Sequence, residues 1–336
     1  MTAKKLLRQT TRADVALHAG VSTAVVSYVV NNGPRRVATE TAERVRESMR
    51  VLSYQPNFNA RALKRGSNQT IGLILRDSLN PFFVEFYLAI EREAAKQGLR
   101  ILVADSHGDA DTEQQLLRDL SSRQVEAVFL MSTTQDLDQL AYLHNETVQT
   151  VLLDCPAPFP GLRSIGPDAY TGAMVAVRHL VEEHGRESVG LVVGSGGFGN
   201  PDPRHLGWAR ALSDANLAPG PIAIYDWNNQ GGYLAAKEMI SNDTLPQSMF
   251  IACDSQAIGF VRALHEAGID IRRDCPIVSF DGTQASAYTW PALTSVRQPV
   301  NDMAIRALEL LQNSDASTSL HTFDVDLVVR ESCGCN

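Results

Sequence analysis

Residues 11–31 read TRADVALHAGVSTAVVSYVVN, and their apolar pattern predicts how the N-terminal part of the chain folds. Val15 and Ala16 lie on one face of a short helix. Gly20 suits the left-handed conformation that follows a helix, and Ser22 is a good N-cap for a second helix. Two helices that cross over such a tight turn are typical of a helix-turn-helix unit.

A third helix is predicted to follow, with Thr39 as its N-cap. Ala42, Val45, Met49 and Leu52 form one apolar stripe along it. Together the three helices predict a small all-α headpiece.

The second helix of such a unit lies in the major groove of DNA, with its first residues facing base edges. Here these residues are Thr23 and Ala24, which offer one hydrogen bond and an apolar contact, so we expect modest base discrimination. Ser22 and Ser27 can reach phosphates. The predicted DNA contacts of the head are Thr11, Ser22, Thr23, Ala24, Ser27, Tyr28, Asn31, Arg35 and Arg36.

Charge is distributed unevenly along the chain. Residues 1–66 carry 12 Lys and Arg against 4 Asp and Glu, whereas the remaining 270 residues carry 18 against 34. A basic head on an acidic body indicates that only the head approaches a polyanion such as double-stranded DNA. A basic disordered tail is the alternative, and the helical pattern argues against it.

The segment YQPNFNARALKRG, residues 54–66, can start a helix after Pro56, but it offers little apolar surface around Leu63. A helix this short is marginal on its own in water. It therefore needs a partner to pack against, unless it is simply a basic interdomain linker.

VSTAVVSYVVN (21–31) and TAERVRESMRVLSYQPNFNARALKRGSNQTIGLIL (41–75) resemble the lactose-repressor (LacI/GalR) family of bacterial transcription regulators. The resemblance extends over essentially the whole chain. It implies that residues 57–65 form a hinge helix, which pairs with its copy in the minor groove and inserts Leu63 between base pairs. The implied DNA contacts of this segment are Asn57, Ala60, Arg61, Leu63 and Lys64.

Beyond Gly66 the chain alternates short apolar runs with amphipathic stretches. This alternation predicts an α/β body with parallel sheets wrapped by helices. Two doubly wound lobes are expected, split near residues 165–168 and similar to periplasmic binding proteins. The predicted strands cover residues 71–75, 100–104, 125–131, 150–153, 189–193, 222–225, 249–253 and 277–280.

The expected division is a headpiece, a hinge with linker, and an effector-binding and dimerisation domain. These parts cover residues 1–56, 57–67 and 68–336. Within the last part, the first lobe is expected at about 68–166 plus 294–326 and the second at about 167–293 plus 327–336.

Ligands in this fold class bind beyond the carboxyl ends of the strands. Arg204 in RHLGW matches the family's effector-binding arginine, and Trp227 in YDWNNQ matches an aromatic residue that stacks on the ligand. An arginine, carboxylates and a flat aromatic suit a polyhydroxylated effector such as a sugar. The resemblance implies the effector-binding residues Asn80, Phe82, Phe83, Asp154, Arg204, Trp227, Asp254 and Asp281.

Some of these positions have other readings. Phe82 and Trp227 could be core aromatics, and Asp154 could be a solvated strand end. Cys253-Asp254 stands where the family has an Asn-Asp pair, which leaves the identity of the effector open.

An enzyme is not expected. The run GSGGFG (194–199) resembles a dinucleotide fingerprint, but Pro201 and Pro203 delay the helix that should begin among the glycines, and no acid follows at the required distance. No catalytic motif of the hydrolase, P-loop or zinc-protease type is present. A periplasmic sugar-binding protein would share the body but needs a signal peptide.

No cofactor and no metal site are expected either. Cys333-Gly334-Cys335 has neither metal-site spacing nor histidines nearby, and the eight histidines are expected mainly at the surface. No apolar run reaches the roughly 18 residues of a membrane helix. The sequence thus predicts a cytoplasmic, homodimeric, effector-responsive repressor, and leaves open whether dimers pair into tetramers.

Overall fold

The structure is a computed structural model that describes residues 10–31, 36–55, 68–132, 140–155, 158–194, 202–312 and 320–335. The chain divides into two compact units, Met1–Asn68 and Gln69–Asn336. The first is the head and the second is the body.

The described head consists of three helices, α1 (Arg12–Ala19), α2 (Thr23–Asn31) and α3 (Thr39–Val51). Thr11 and Asp14 form a capping box at the start of α1, and Gly20 ends it with φ 65°. The expected cap of α3 is wrong by one residue. Thr39 is already helical, so Ala38 is the N-cap, and its methyl side chain cannot make a capping hydrogen bond.

The head is held together by small and branched apolar side chains. The buried core residues are Val15, Ala16, Ala19, Val26 and Val45. Helices α1 and α2 meet at 105°, within the range of a helix-turn-helix. No single described helix is long and apolar enough to cross a membrane, although α1 and α2 pass such a test as a bent pair.

The body contains two parallel-type sheets flanked by helices. Its described strands are β1 (Thr70–Leu75), β2 (Arg100–Asp105), β3 (Ala127–Leu130), β4 (Gln149–Leu152), β5 (Arg163–Pro167), β6 (Val189–Val193), β7 (Ile222–Ile224), β8 (Ser248–Ile251), β9 (Ile277–Asp281), β10 (Thr294–Arg297), β11 (Leu320–Phe323) and β12 (Asp326–Val328). Its described α-helices are α4 (Pro81–Lys96), α5 (Ala110–Ser122), α6 (Ala169–Arg178), α7 (Pro203–Asp214), α8 (Asn229–Ser241), α9 (Asp254–Glu266) and α10 (Val300–Gln312). Short 3-10 turns cover Ala141–Asn145 and Gln284–Tyr288, and a π-helical turn covers His179–Glu183.

The first lobe is built on the sheet β11-β5-β4-β3-β1-β2, whose strand pairs are all parallel. The second lobe is built on β12-β10-β9-β8-β6-β7, which is parallel except for the antiparallel pair β10–β12. The expected α/β class with two doubly wound lobes is confirmed. Parallel strands of this kind place their carboxyl ends at one edge of each sheet.

One expected lobe boundary is wrong. Residues 294–297, assigned to the first lobe, form β10 in the second, where Val296 pairs with Phe280 of β9. Thr294 and Ser295 are fully buried polar residues, so this strand lacks the apolar run that would have predicted it. The chain returns to the first lobe after Arg297, where α10 packs on α4.

Candidate functional site

The N-terminal end of α2 presents the side chains that were expected to meet bases. Ser22, Thr23 and Ala24 are exposed, and the Ser22 hydroxyl accepts a hydrogen bond from the Val25 N–H at 3.4 Å. Exposure at the first turn of the second helix is what major-groove reading requires. Arg36 is exposed as well.

The other predicted DNA contacts differ in their surroundings. Ser27 and Tyr28 are half-buried, and the Thr11 hydroxyl donates to Asp14 Oδ2 at 2.6 Å as part of the cap of α1. Thr11 therefore has a structural task of its own. The side chain of Asn31 and residues Arg35, Asn57, Ala60, Arg61, Leu63 and Lys64 lie outside the described residues.

In the body, Arg204 occupies the centre of a group of charges beyond the strand ends. Asp202 caps α7, and Pro203 begins it, so Arg204 lies in the first turn of that helix. The Arg204 Nε and Nη2 donate to the two Asp202 carboxylate oxygens at 2.9 and 2.8 Å. Its Nη1 donates to the carbonyl of Ala252 at 3.1 Å. These contacts fix the plane of the guanidinium.

Aromatic rings line the same guanidinium. The Arg204 Cζ lies 4.4 Å from the ring centroid of Trp227 and 5.4 Å from that of Phe280, distances typical of cation–π contacts. The Trp227 indole also packs closely on Gly194, because a Cβ added there would come within 1.9 Å of the ring. Trp227 thus lies against Arg204, and its expected contact with an effector stays a prediction.

Two further carboxylates approach this arginine, and both stand on backbone with positive φ. Asp154 has φ 55° and Asp281 has φ 111°, conformations that favour glycine and carry strain in other residues. Burial raises the pKa of Asp154, while the charges of Arg76 and Arg204 oppose the shift. Burial also raises the pKa of Asp281 well above its ordinary value; the charge of Asp254 adds to this and Arg204 opposes it.

Asp202 behaves differently from its neighbours. Burial raises its pKa, but the charge and hydrogen bonds of Arg204 outweigh burial and hold the pKa below its ordinary value. The carboxylate nearest the guanidinium therefore stays ionised, and the pair is a fixed ionic element of the site.

Asp254 was expected to contact the effector, and its geometry favours another role. It is 1 % exposed. One of its carboxylate oxygens accepts from the Ser279 and Ser295 hydroxyls at 2.6 and 2.7 Å, and the other accepts from the N–H and hydroxyl of Thr283, both at 2.7 Å. With four hydrogen bonds made, the carboxylate holds the strand ends together and has little capacity left for a ligand.

The residues expected after β1 also serve the fold. Asn80 caps α4 by accepting from the Phe82 N–H at 3.0 Å. Phe82 and Phe83 are 3 and 2 % exposed and belong to the core of the first lobe. The core reading therefore fits Phe82, whereas Phe83 also offers its ring to Arg76, whose Cζ lies 4.9 Å from the centroid.

Arg76 and Asp202 were missed by sequence reasoning. Arg76 follows β1 in the first lobe. Its charge acts to lower the pKa of Asp154 in the same lobe and also that of Asp202, which belongs to the second lobe. A cation directly after a buried strand was the available signal. Asp202 could have been recognised as a helix N-cap, because an aspartate directly before a proline is a usual pattern at the start of a helix.

Replacing Asp281 by Asn tests the electrostatics of the site. A carboxyl whose pKa is higher in the folded chain costs stability as pH rises above its ordinary value of 3.8. Asp281→Asn is therefore expected to raise the thermal midpoint at pH 7, and the gain should vanish near pH 3. Asp243→Asn, a change at an exposed aspartate that also has positive φ, 56°, is the control and should leave the midpoint unchanged, because Asn tolerates the same backbone conformation. A lower midpoint for Asp281→Asn at pH 7 would contradict the assignment.

The sequence matches known families in both units. Residues 11–57 match the bacterial regulatory proteins of the lacI family, and residues 177–333 match a periplasmic binding protein-like domain. The HTH-type transcriptional repressor PurR of Aliivibrio salmonicida (strain LFI1238) is 32 % identical over 301 residues, which cover 89 % of this chain and 90 % of the relative. PurR of Pasteurella multocida (strain Pm70) is 28 % identical over 330 residues, which cover 95 % of this chain and 97 % of the relative.

Solved structures show the same architecture. The lac repressor dimer bound to operator and the anti-inducer ONPF is 25 % identical, with a TM-score of 0.82 over 97 % of this chain and 99 % of that one. A transcriptional regulator CelR–cellobiose complex shares the fold at 21 % identity and a TM-score of 0.67, covering 96 % of this chain and 100 % of that one. Because the relatives are repressors and the head and body both match, the chain belongs to the lacI family of bacterial regulatory proteins, as a DNA-binding transcriptional repressor and not an enzyme.

Proposed function

We propose that this repressor binds a pseudopalindromic operator as a homodimer, and that a small polyhydroxylated molecule, of the sugar class, binds between the lobes of the body and changes operator affinity. The observation that carries the proposal is the charge cluster around Arg204. Asp154 and Arg76 belong to the first lobe, while Asp202, Arg204 and Asp281 belong to the second.

A ligand in this cluster touches groups of both lobes at once. It therefore binds two lobe arrangements with different affinity, which is the condition for shifting the equilibrium between them. Residues 57–67, expected to carry the hinge, join the first lobe to the head, so a change in lobe arrangement acts on the paired hinges. The expected coupling is about 1–3 kcal/mol, or about 5- to 150-fold in operator affinity.

The chemistry of the cluster favours hydroxyl groups. Sugar hydroxyls donate to carboxylates such as Asp281 and Asp154, and they accept from a guanidinium such as Arg204. Asp202 already takes two of the Arg204 donors, so an effector must share or displace that pair. A planar nucleobase is the second candidate class, because the Trp227 ring is only half-buried.

The dimer is supported by the edges of the two sheets. β2 and β7 are the edge strands of the first and second lobe. They expose Leu102 and Val103 on one and Ile222 and Ile224 on the other, at 39 to 61 %. Apolar edge strands are usually covered in native proteins. A second copy of the chain that covers both edges would form the dimer.

Arg204→Ala tests the effector site against a change on the same helix. A panel of sugars and nucleobases is first screened for compounds that change the affinity of the purified repressor for a selected operator. Arg204→Ala is expected to bind operator and to lose the response, because the guanidinium fork is gone. Arg210→Ala, on the exposed face of α7 where Arg210 pairs with Asp214 at 2.7 Å, should respond as the wild type does. An unchanged response in Arg204→Ala would reject the site.

Ile224→Asp tests the dimer. The Ile224 side chain is 61 % exposed on the edge strand β7. In a symmetric interface, a carboxylate at this position would face either the same carboxylate of the second chain or an apolar surface, and both arrangements are unfavourable. Sedimentation should show monomers at concentrations where the wild type is dimeric. Val175→Asp, at a 39 % exposed valine of α6, is expected to sediment like the wild type. A dimeric Ile224→Asp variant would show that β7 is not in the interface.

Leu63→Ala tests the hinge. If Leu63 wedges between base pairs, the shorter side chain should weaken operator binding while the dimer and the effector response persist. Leu63→Met, which keeps a long apolar side chain, should retain most of the affinity. Equal operator affinity for the Ala variant and the wild type, measured by fluorescence anisotropy, would exclude the wedge.

A further inference from the structure

Four side chains able to bind a metal meet where the end of the chain folds onto the second lobe. His179, His184, Cys333 and Cys335 each offer one ligand atom, and these atoms all lie within 4.8 Å of one another. The expectation that the two cysteines have no histidines nearby is wrong. The partners of Cys335 lie 151 and 156 positions earlier in the chain, so spacing along the sequence could not indicate them.

The helix that carries the histidines is wound in a way that brings them together. After α6 the chain makes one π-helical turn, His179–Glu183. A π turn nearly aligns a residue with the fifth residue after it, whereas in an α-helix such a pair points in different directions. As a result, the Nε2 atoms of His179 and His184 are only 3.3 Å apart. Single π turns occur frequently at functional sites.

The cysteines are presented by a tight turn. Gly334 lies between them with φ 98°, and a Cβ added there would come 3.1 Å from the Arg272 carbonyl oxygen and 3.7 Å from the His184 Nδ1. Glycine is therefore favoured chiefly by the backbone conformation, and the close Arg272 carbonyl adds to this preference. The same tail is anchored to the sheet, because the Ser332 hydroxyl donates to the Ile277 carbonyl at 2.7 Å.

The separations between ligand atoms fit a tetrahedral ion. The Cys335 Sγ lies 3.3 Å from the His184 Nε2 and 3.7 Å from the His179 Nε2. Tetrahedral zinc with usual bond lengths holds two nitrogens about 3.3 Å apart and a nitrogen and a sulfur about 3.6 Å apart. These three atoms are thus spaced as ligands of one tetrahedral ion would be.

Burial and outer contacts also suit a metal ligand. Cys333 is fully buried; its Sγ accepts from the Thr294 hydroxyl at 3.1 Å and, as a thiol, donates to the Arg330 carbonyl at 3.3 Å. A hydroxyl that donates to a thiolate supports a ligand from outside the coordination sphere. A purely hydrogen-bonded cluster of rings and thiols is the alternative.

We propose that His179, His184, Cys333 and Cys335 bind one zinc ion through two ring nitrogens and two sulfurs. Soft thiolates combined with imidazoles select zinc over magnesium or calcium, and tetrahedral S₂N₂ sites are typical of it. Four protein ligands leave no open position, which is the pattern of a structural site. The ion would fasten the end of the chain to the end of α6, and it shares no residue with the charge cluster around Arg204.

The full-length protein, reduced and free of a histidine tag, is expected to contain one equivalent of zinc per chain by elemental analysis. Cobalt in its place should give the intense visible bands of tetrahedral coordination and a sulfur-to-cobalt charge-transfer band. Cys335→Ser and His184→Gln are both changes at half-buried positions. Loss of a residue that only supports a metal ligand weakens metal binding about 10- to 100-fold, and these two variants should weaken zinc binding by more than that.

Cys155→Ser is the matched control, since Cys155 is a half-buried cysteine outside the cluster. It should bind zinc as the wild type does, and a chelator should lower the thermal midpoint of both. A wild type that binds no zinc, or zinc binding that is equal in Cys335→Ser and His184→Gln, would overturn the proposal. A Cys333–Cys335 disulfide that persists under reducing conditions, or a cobalt spectrum without sulfur charge transfer, would overturn it as well.

Discussion

A guanidinium withdrawn from water must be matched by negative charge, and this requirement organises the cleft of the body. Arg204 cannot lose its proton, so Asp202, whose pKa is held below its ordinary value, pairs with it through two hydrogen bonds. Removing one partner of a buried pair typically costs about 3–5 kcal/mol, because the other charge is left uncompensated. Any ligand that enters must replace the polar contacts it displaces. This requirement supports the proposal that the effector is rich in hydroxyl groups.

The same cluster is kept under strain by the rest of the body. Asp154 and Asp281 adopt positive φ, and burial keeps the pKa of each raised. Such conformations cost of order 1–3 kcal/mol each and persist only where the surrounding structure enforces them. For Asp281, Asp254 supplies that restraint, since its four hydrogen bonds tie the end of β9 to β10 and to the turn at Thr283. Asp254, which was expected to contact a ligand, holds these strand ends together in the structure.

Features with local periodic patterns were predictable from the sequence, whereas features made by distant contacts were not. The three head helices, eight body strands and the position of Arg204 follow from periodicity, glycine turns and family resemblance. The strand β10 was missed because its residues are polar although buried. Arg76 and Asp202 come from different lobes, and the histidines near Cys335 come from 150 positions away, so only the folded chain brings them together.

We propose that Arg204 is the group through which an effector bridges the two lobes. A crystal structure of the repressor with an effector bound tests this most directly. We predict that ligand oxygen atoms lie within hydrogen-bond distance of the Arg204 guanidinium and of at least one carboxylate of the first lobe, with the Asp202 contacts shared or exchanged. An effector bound elsewhere, with the Arg204–Asp202 pair intact and no ligand atom near it, would contradict the account.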